Sequence, residues 1–165
     1  MTDLTKHEKA FLDTLKIFEG LSTCHRHKIA ALIFRGSDLL TVNYNGVRQG
    51  EEHCEDLMRS GRLSYAEHRE WSKVNEVHAE INAIEKVKKL NVSLKGTSIM
   101  VSKTPCENCF REIVKNGISS IIAVGFWNNP DTVYEKSDGN TTADISEAAL
   151  SFNINYKLLE TDDAS

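Results

Sequence analysis

The chain has 165 residues, 40% apolar and 27% charged, which excludes a disordered tail or a membrane-embedded protein and fits one folded domain over residues 1–165. A formal charge of −4 argues against a surface made to grip a polynucleotide, so a nucleic-acid polymer is not the expected partner. Neither an apolar leader nor a run of about 18 apolar residues occurs, so no membrane association is expected and a cytoplasmic location is the default.

Along the chain, Leu4, Phe11, Leu12, Leu15, Ile17 and Phe18 recur at helical spacing, which predicts an amphipathic helix over residues 5–20, ended by Gly20. Residues 28–34 and 39–44 are apolar runs around Arg35-Gly36-Ser37-Asp38 and read as a β-hairpin. The stretch 45–72 is polar and reads as one long irregular loop, a length that implies either disorder or function. Helical periodicity follows over 78–90, a strand over 97–101, a helix over 106–116 and a buried strand over 120–124. Residues 128–144 are rich in turn formers, and a short helix (146–152) and a strand (153–158) close the chain. Strand–helix alternation predicts an α/β sandwich with a partly parallel sheet.

Four cysteines in a reducing compartment leave thiol burial, metal ligation or catalysis as the options, and spacing separates them. In Thr104-Pro105-Cys106-Glu107-Asn108-Cys109, Thr104 reads as a helix cap, Pro105 as the first helical residue and Glu107 as the partner in a capping box. That register places Cys106 and Cys109 on one helical face, and a helix N-terminus lowers thiol pKa. With His78 they make three ligands, the number that suits a catalytic zinc keeping a fourth position for water. Glu80 is then a spare carboxylate two residues beyond the histidine. Alone, a C-x-x-C pair can be two core cysteines and an H-x-E can be surface; their joint order, H-x-E then P-C-x-x-C, is the signature of zinc nucleobase deaminases, with the glutamate as general acid and base.

At these residues the sequence resembles the cytidine/deoxycytidylate deaminase superfamily, and within it the phage-type dCMP deaminases. The matching blocks are Ser22-Thr-Cys-His-Arg-His-Lys-Ile-Ala-Ala, Asn43-Tyr-Asn-Gly46, His53-Cys-Glu-Asp56, the run from His68 to Ile84, and Thr104-Pro-Cys-Glu-Asn-Cys109. The resemblance implies a three-layer α/β/α sandwich around a five-stranded mixed sheet, a homo-hexamer, and hydrolysis of dCMP to dUMP and ammonia in supply of thymidylate synthesis. It also implies dCTP and dTTP as effectors, with Mg2+ accompanying the triphosphate, and a host cytoplasm if the gene is a phage's. A second, structural zinc is implied at Cys24, Cys54, His68 and Glu76; otherwise Cys24 and Cys54 are buried thiols and His68 a loop residue. The chain departs from the family pattern at Asn43, at Ala30-Ala31, and at Val47-Arg48-Gln49 in the effector loop.

The same resemblance gives Glu80 the proton shuttle between water, N3 of the base and the departing amine. It has the Ala79 backbone N–H hold the base carbonyl, Asn45 bind the deoxyribose and Trp127 wall the pocket. For the phosphate, Arg26 and Lys28 are the candidates, against the reading that both are solvated surface cations. Related substrates (dCTP, cytidine, a 5-modified dCMP), a polynucleotide deaminase and a non-catalytic zinc module are the alternatives.

Overall fold

The computed structural model describes residues 3–127 and 129–159. Helix α1 (Lys6–Glu19) starts at Thr5, whose side chain accepts from the Glu8 N–H while Glu8 reaches back to the Thr5 N–H, so the capping box fixes its origin. Strands β1 (Ala30–Arg35) and β2 (Asp38–Tyr44) form the expected hairpin, with Gly36 at φ +59° supplying the left-handed turn residue. Next come β3 (Gly46–Val47), α2 (Cys54–Arg59), α3 (His68–Asn75), β4 (Glu76–Val77) and α4 (Ala79–Lys89). The remainder is β5 (Ser98–Lys103), α5 (Glu107–Lys115), β6 (Ser120–Gly125), β7 (Tyr134–Glu135), β8 (Thr141–Thr142), α6 (Ile145–Ser151) and β9 (Asn155–Leu158).

Five strands make the main sheet in the order β2-β1-β5-β6-β9. β1 runs antiparallel to β2 and β5, whereas β5, β6 and β9 are mutually parallel, so the sheet is mixed as expected. Strand alternation divides the core. Ala30, Leu32, Phe34, Met100, Ile122 and Val124 face Phe11 and Leu15 of α1. Ala31, Ile33, Ile99, Val101, Ile121 and Ala123 face α4, α5 and α6 on the other side, completing the three layers. Each fully buried Val, Leu, Ile, Phe or Met side chain among them contributes about 1.5–3 kcal/mol relative to exposure. Ile17, counted in the α1 stripe from the sequence, is 70% exposed, because it falls off the Phe11–Leu15 line by half a turn.

Three sequence expectations need correction. The stretch 45–72 is not one irregular loop: β3 pairs with β4, and α2 and the start of α3 lie within it. Among residues 128–144, β7 and β8 pair as a short hairpin; Asn128, where that loop was expected to begin, lies outside the described residues. Thr104 does not cap α5, for the helix starts at Glu107 with Cys106 at the N-cap and no side-chain capping bond. The Thr104 hydroxyl instead accepts the Trp127 N–H at 3.3 Å and lies 3.4 Å from the Gly125 carbonyl, which bridges β5 to β6. No helix among the described residues is long and apolar enough to cross a membrane.

Candidate metal centres and active site

Two helices begin at one point. His78 is the N-cap of α4 and Cys106 the N-cap of α5, with Cys109 one turn further on. His78 Nδ1 lies 3.6 Å from Cys106 Sγ and 3.3 Å from Cys109 Sγ. A tetrahedral zinc with the usual Zn–S and Zn–N bonds separates its ligands by about 3.5–3.8 Å, so both sulfur–imidazole distances are close to the spacing of metal ligands, and all three atoms lie within 4.8 Å of one another. Cys106 is therefore not on the helix with Cys109, as the sequence suggested, but immediately before it.

The electrostatics agree with that use. A hydrogen bond from the Cys109 thiol, aided by His78, holds Cys106 down at about 4 against the opposing effect of burial. His78 is pushed up to about 9, chiefly by its hydrogen bond to Cys106, while Cys109 is raised because it gives its proton to Cys106 and is buried. Without a cation the cluster thus shares protons among groups that compete for charge, which a divalent ion would replace.

Glu80 is the second residue of α4 and is only 4% exposed. Its helix buries Ala79, Ala83 and Val87 along one line and Ile84 beside them, so a carboxylate stands where the periodicity calls for an apolar side chain. Burial raises its pKa, favouring a proton-carrying acid beside the cluster. Ala79 is the first residue of α4, where a backbone N–H has no intrahelical acceptor and is free for another partner.

The second predicted set also converges. Ligand atoms of Cys24, Cys54, His68 and Glu76 all lie within 4.8 Å of one another. Cys24 Sγ is 3.8 Å and Glu76 Oε1 4.0 Å from His68 Nε2. Cys24, Cys54 and His68 are at most 2% exposed, and His68 Nδ1 has no hydrogen-bond partner among the described residues. Two backbone amides aim at the sulfurs, His25 N–H at Cys54 Sγ (3.0 Å) and His27 N–H at Cys24 Sγ (3.4 Å). Burial pushes Cys54 up to about 11 and Cys24 upward as well, so as thiols both are ill-placed, and a cation would convert them to ligands. Cys24 and Cys54 share only a small apolar cluster with Leu63, packed by Leu57, Met58 and Trp71.

The substrate candidates fare unevenly. The Asn45 amide is committed within the fold: its Oδ1 accepts Ile29 N–H (2.9 Å) and Ser22 Oγ–H (2.6 Å), and its Nδ2 donates to the His27 carbonyl (2.7 Å). Lys28 Nζ donates to the Ser22 carbonyl at 3.2 Å. The Arg26 guanidinium lies over the Tyr65 ring, 4.8 Å from its centroid. Trp127, 44% exposed, stands beside the ligand segment with its ring centroid 4.8 Å from that of His27. Sequence reasoning missed Tyr134, whose buried phenol donates to the Pro105 carbonyl at 2.7 Å and whose ring meets Phe110 edge-on. Its place in a turn-rich segment gave no signal. A separate groove of about 560 Å³ is lined by Asn43, Gly46, Arg48, Asn82, Lys86 and Lys89, among others, and by none of the cluster residues. At Gly46 a Cβ would stand 2.9 Å from Thr23 Oγ1, so a larger residue there would have to displace that side chain.

A mixed-sheet α/β/α fold that brings one imidazole, two sulfurs and a free buried acid to two helix starts defines a metal-site protein of the nucleobase-deaminase type. Comparison with known proteins narrows this class. The chain belongs to the cytidine and deoxycytidylate deaminase zinc-binding family, whose model matches residues 4–124. It is 34% identical over 100 residues to ComE operon protein 2 of Bacillus subtilis, covering 61% of this chain and 49% of that one, so it spans about half that relative's length. Similarity to the deoxycytidylate deaminase of Enterobacteria phage T2 is 26% over 132 residues, covering 61% of this chain and 70% of that one. The dCMP deaminase of cyanophage S-TIM5, solved in complex with dCMP and dUMP, shares the fold at a TM-score of 0.70 and 19% identity, covering 96% of this chain and all of that one.

Proposed function

We propose that this chain is a zinc-dependent hydrolase that deaminates dCMP to dUMP with release of ammonia. The observation that carries the reading is the convergence of His78, Cys106 and Cys109 beside a buried carboxyl, Glu80, that is not among the ligand group. His78, Cys106 and Cys109 would hold the ion, which when bound supplies a Lewis acid that lowers the pKa of a water from about 15.7 toward 7. Glu80, acting as its carboxylate, takes the proton of the attacking water and delivers it to N3 of the base, which makes C4 electrophilic; the raised pKa that burial gives it makes that carboxylate the stronger base. It then takes the remaining proton of the hydroxyl added at C4 and passes it to the departing amine, so water's oxygen replaces ammonia at C4 and the carboxylate ends as it began. The first-turn amide of Ala79 donates to the base carbonyl, and Trp127 forms a wall. Asn45 would contribute through the loop its three hydrogen bonds hold, with one N–H left for the sugar.

Cys24, Cys54, His68 and Glu76 would hold a second zinc in a closed four-ligand set, the form expected of a structural ion. The groove beside Arg48, Lys86 and Lys89 has the charge to receive the triphosphate of dCTP or dTTP with its Mg2+. A homo-hexamer of single-domain chains in the cytoplasm belongs to the same proposal. Ammonia release from dCMP, dCTP, cytidine, 5-methyl-dCMP and a short cytosine oligonucleotide tests it. The expected kcat/KM is highest for dCMP; preference for cytidine or the oligonucleotide would overturn the substrate assignment.

A further inference from the structure

We propose that the two ligand sets bind metal cooperatively, with Glu76 and Val77 as positioning residues that transmit the state of the His68 set to His78. The inference rests on the reading that both sets hold zinc, and it gives the second ion a part in shaping the first centre.

The chain itself makes the shortest connection. Glu76 belongs to one set and His78 to the other, with only Val77 between them. Both have extended backbone, Glu76 at φ −101°, ψ 144° and His78 at φ −66°, ψ 149°, so their Cα atoms stand two strand steps apart, about 6.5 Å. An extended step has little slack, so a shift of Glu76 moves His78 with it. Little else holds this step in place: among the described residues β4 has two ladder pairs, Val77 with Gly46 and Glu76 with Val47. The Glu76 carboxylate is 7% exposed and faces His68 Nε2 at 4.0 Å, so ligation there pins β4 at the residue that decides where His78 stands.

A second connection reaches the sulfur side. Cys24 Sγ accepts the His27 N–H at 3.4 Å, the His27 ring lies 4.8 Å from that of Trp127, and the Trp127 N–H is bonded to Thr104 Oγ1 at 3.3 Å. Thr104 precedes Cys106 by two residues. The two connections also brace each other. Ser22 and Ile29, on either side of Cys24, both donate to Asn45 Oδ1, and Asn45 adjoins Gly46, the ladder partner of Val77. The imidazole and one sulfur of the first set are thereby tied to the second set by short paths. An ion in either set removes freedom that the other would otherwise have to freeze on binding, and by linkage the effect is the same in both directions.

The test titrates the zinc-loaded full chain with a chromophoric chelator. Cys54→Ser opens the second set and Cys109→Ser the first; neither residue lies on the connections, and each variant gives the binding constant of the set left intact. The overall constant for two zinc ions on wild type, divided by the product of these two constants, is the coupling factor. It is expected to be about tenfold or more, inside the roughly 5–150-fold span of coupled sites. Val77→Gly combined with His27→Ala keeps all seven ligand residues and cuts both connections. In that background the factor is expected to fall below about threefold, whereas a merely global effect of the metals on stability would survive it. A wild-type factor at or below 1 overturns the coupling and leaves the two-metal reading standing. A wild type that loads only one zinc per chain overturns that reading and the coupling with it. A factor as large in Val77→Gly/His27→Ala as in wild type overturns the positioning role given to these connections. Circular dichroism of each loaded variant confirms its fold, and His68→Gln takes the place of Cys54→Ser if the latter does not fold.

Discussion

The two cysteine clusters use nearly the same atoms to opposite ends. Around His78, three ligand atoms meet at the starts of α4 and α5, and a buried acid waits beside them. Around His68, four ligand atoms close on one another within 4.8 Å, and three of the four residues are buried. The scaffolds differ as well. Cys109 is followed by Phe110 and Ile113 in the main core, whereas Cys24 and Cys54 share only a small cluster with Leu63. A site backed by the main core can leave a coordination position open for chemistry; one that must itself hold a weakly cored segment uses every position for binding.

The sharpest way to break this contrast is Glu80→Gln. It should lower kcat by about 10²–10⁴-fold while elemental analysis still finds both metals, because in the proposed mechanism the carboxyl moves protons and does not ligate. A variant with near-normal turnover would erase the distinction between the clusters. Next in size is Cys54→Ser, which opens the closed set. It should lose one metal per chain and lower Tm on the order of 10 °C, since the proposed ion there would order a segment with little apolar support. Unchanged metal content and Tm would reduce that cluster to buried thiols. The smallest effect is expected from Tyr134→Phe, which removes only the phenol's hydrogen bond to Pro105. A loss of about 1 kcal/mol, seen as a Tm lower by about 2–4 °C, should come with unaltered metal content. If instead the first metal is lost, the ligand segment depends on Tyr134 and not on its own helix start.

Much of the site was legible because its residues obey local rules. His78 and Glu80 are two apart at one helix start, and Cys106 and Cys109 three apart at another, so each pair could be placed before any fold was known. The capping of α5 misled because Thr104 and Glu107 satisfy a pattern that the structure spends on another bond, the one Thr104 makes with Trp127 across β5 and β6. The folding of 45–72 was illegible for a related reason: α2 and α3 are six and eight residues long, too short for periodicity to register, and they are held by groups distant in sequence.

Sequence alone determined the ligand-type residues at two helix starts and the main strand–helix alternation, since these follow from residue type and short-range spacing, while the three layers came as what the family resemblance implies and β3, β4, β7 and β8 were not foreseen. Only the tertiary structure decided which distant groups meet. It set Cys24 beside Cys54, His68 and Glu76, tied Asn45 and Lys28 into the loop at Ser22, and laid Trp127 against His27. Such meetings depend on strand order and register, which are fixed by burial summed over the whole core rather than by any local run of residues.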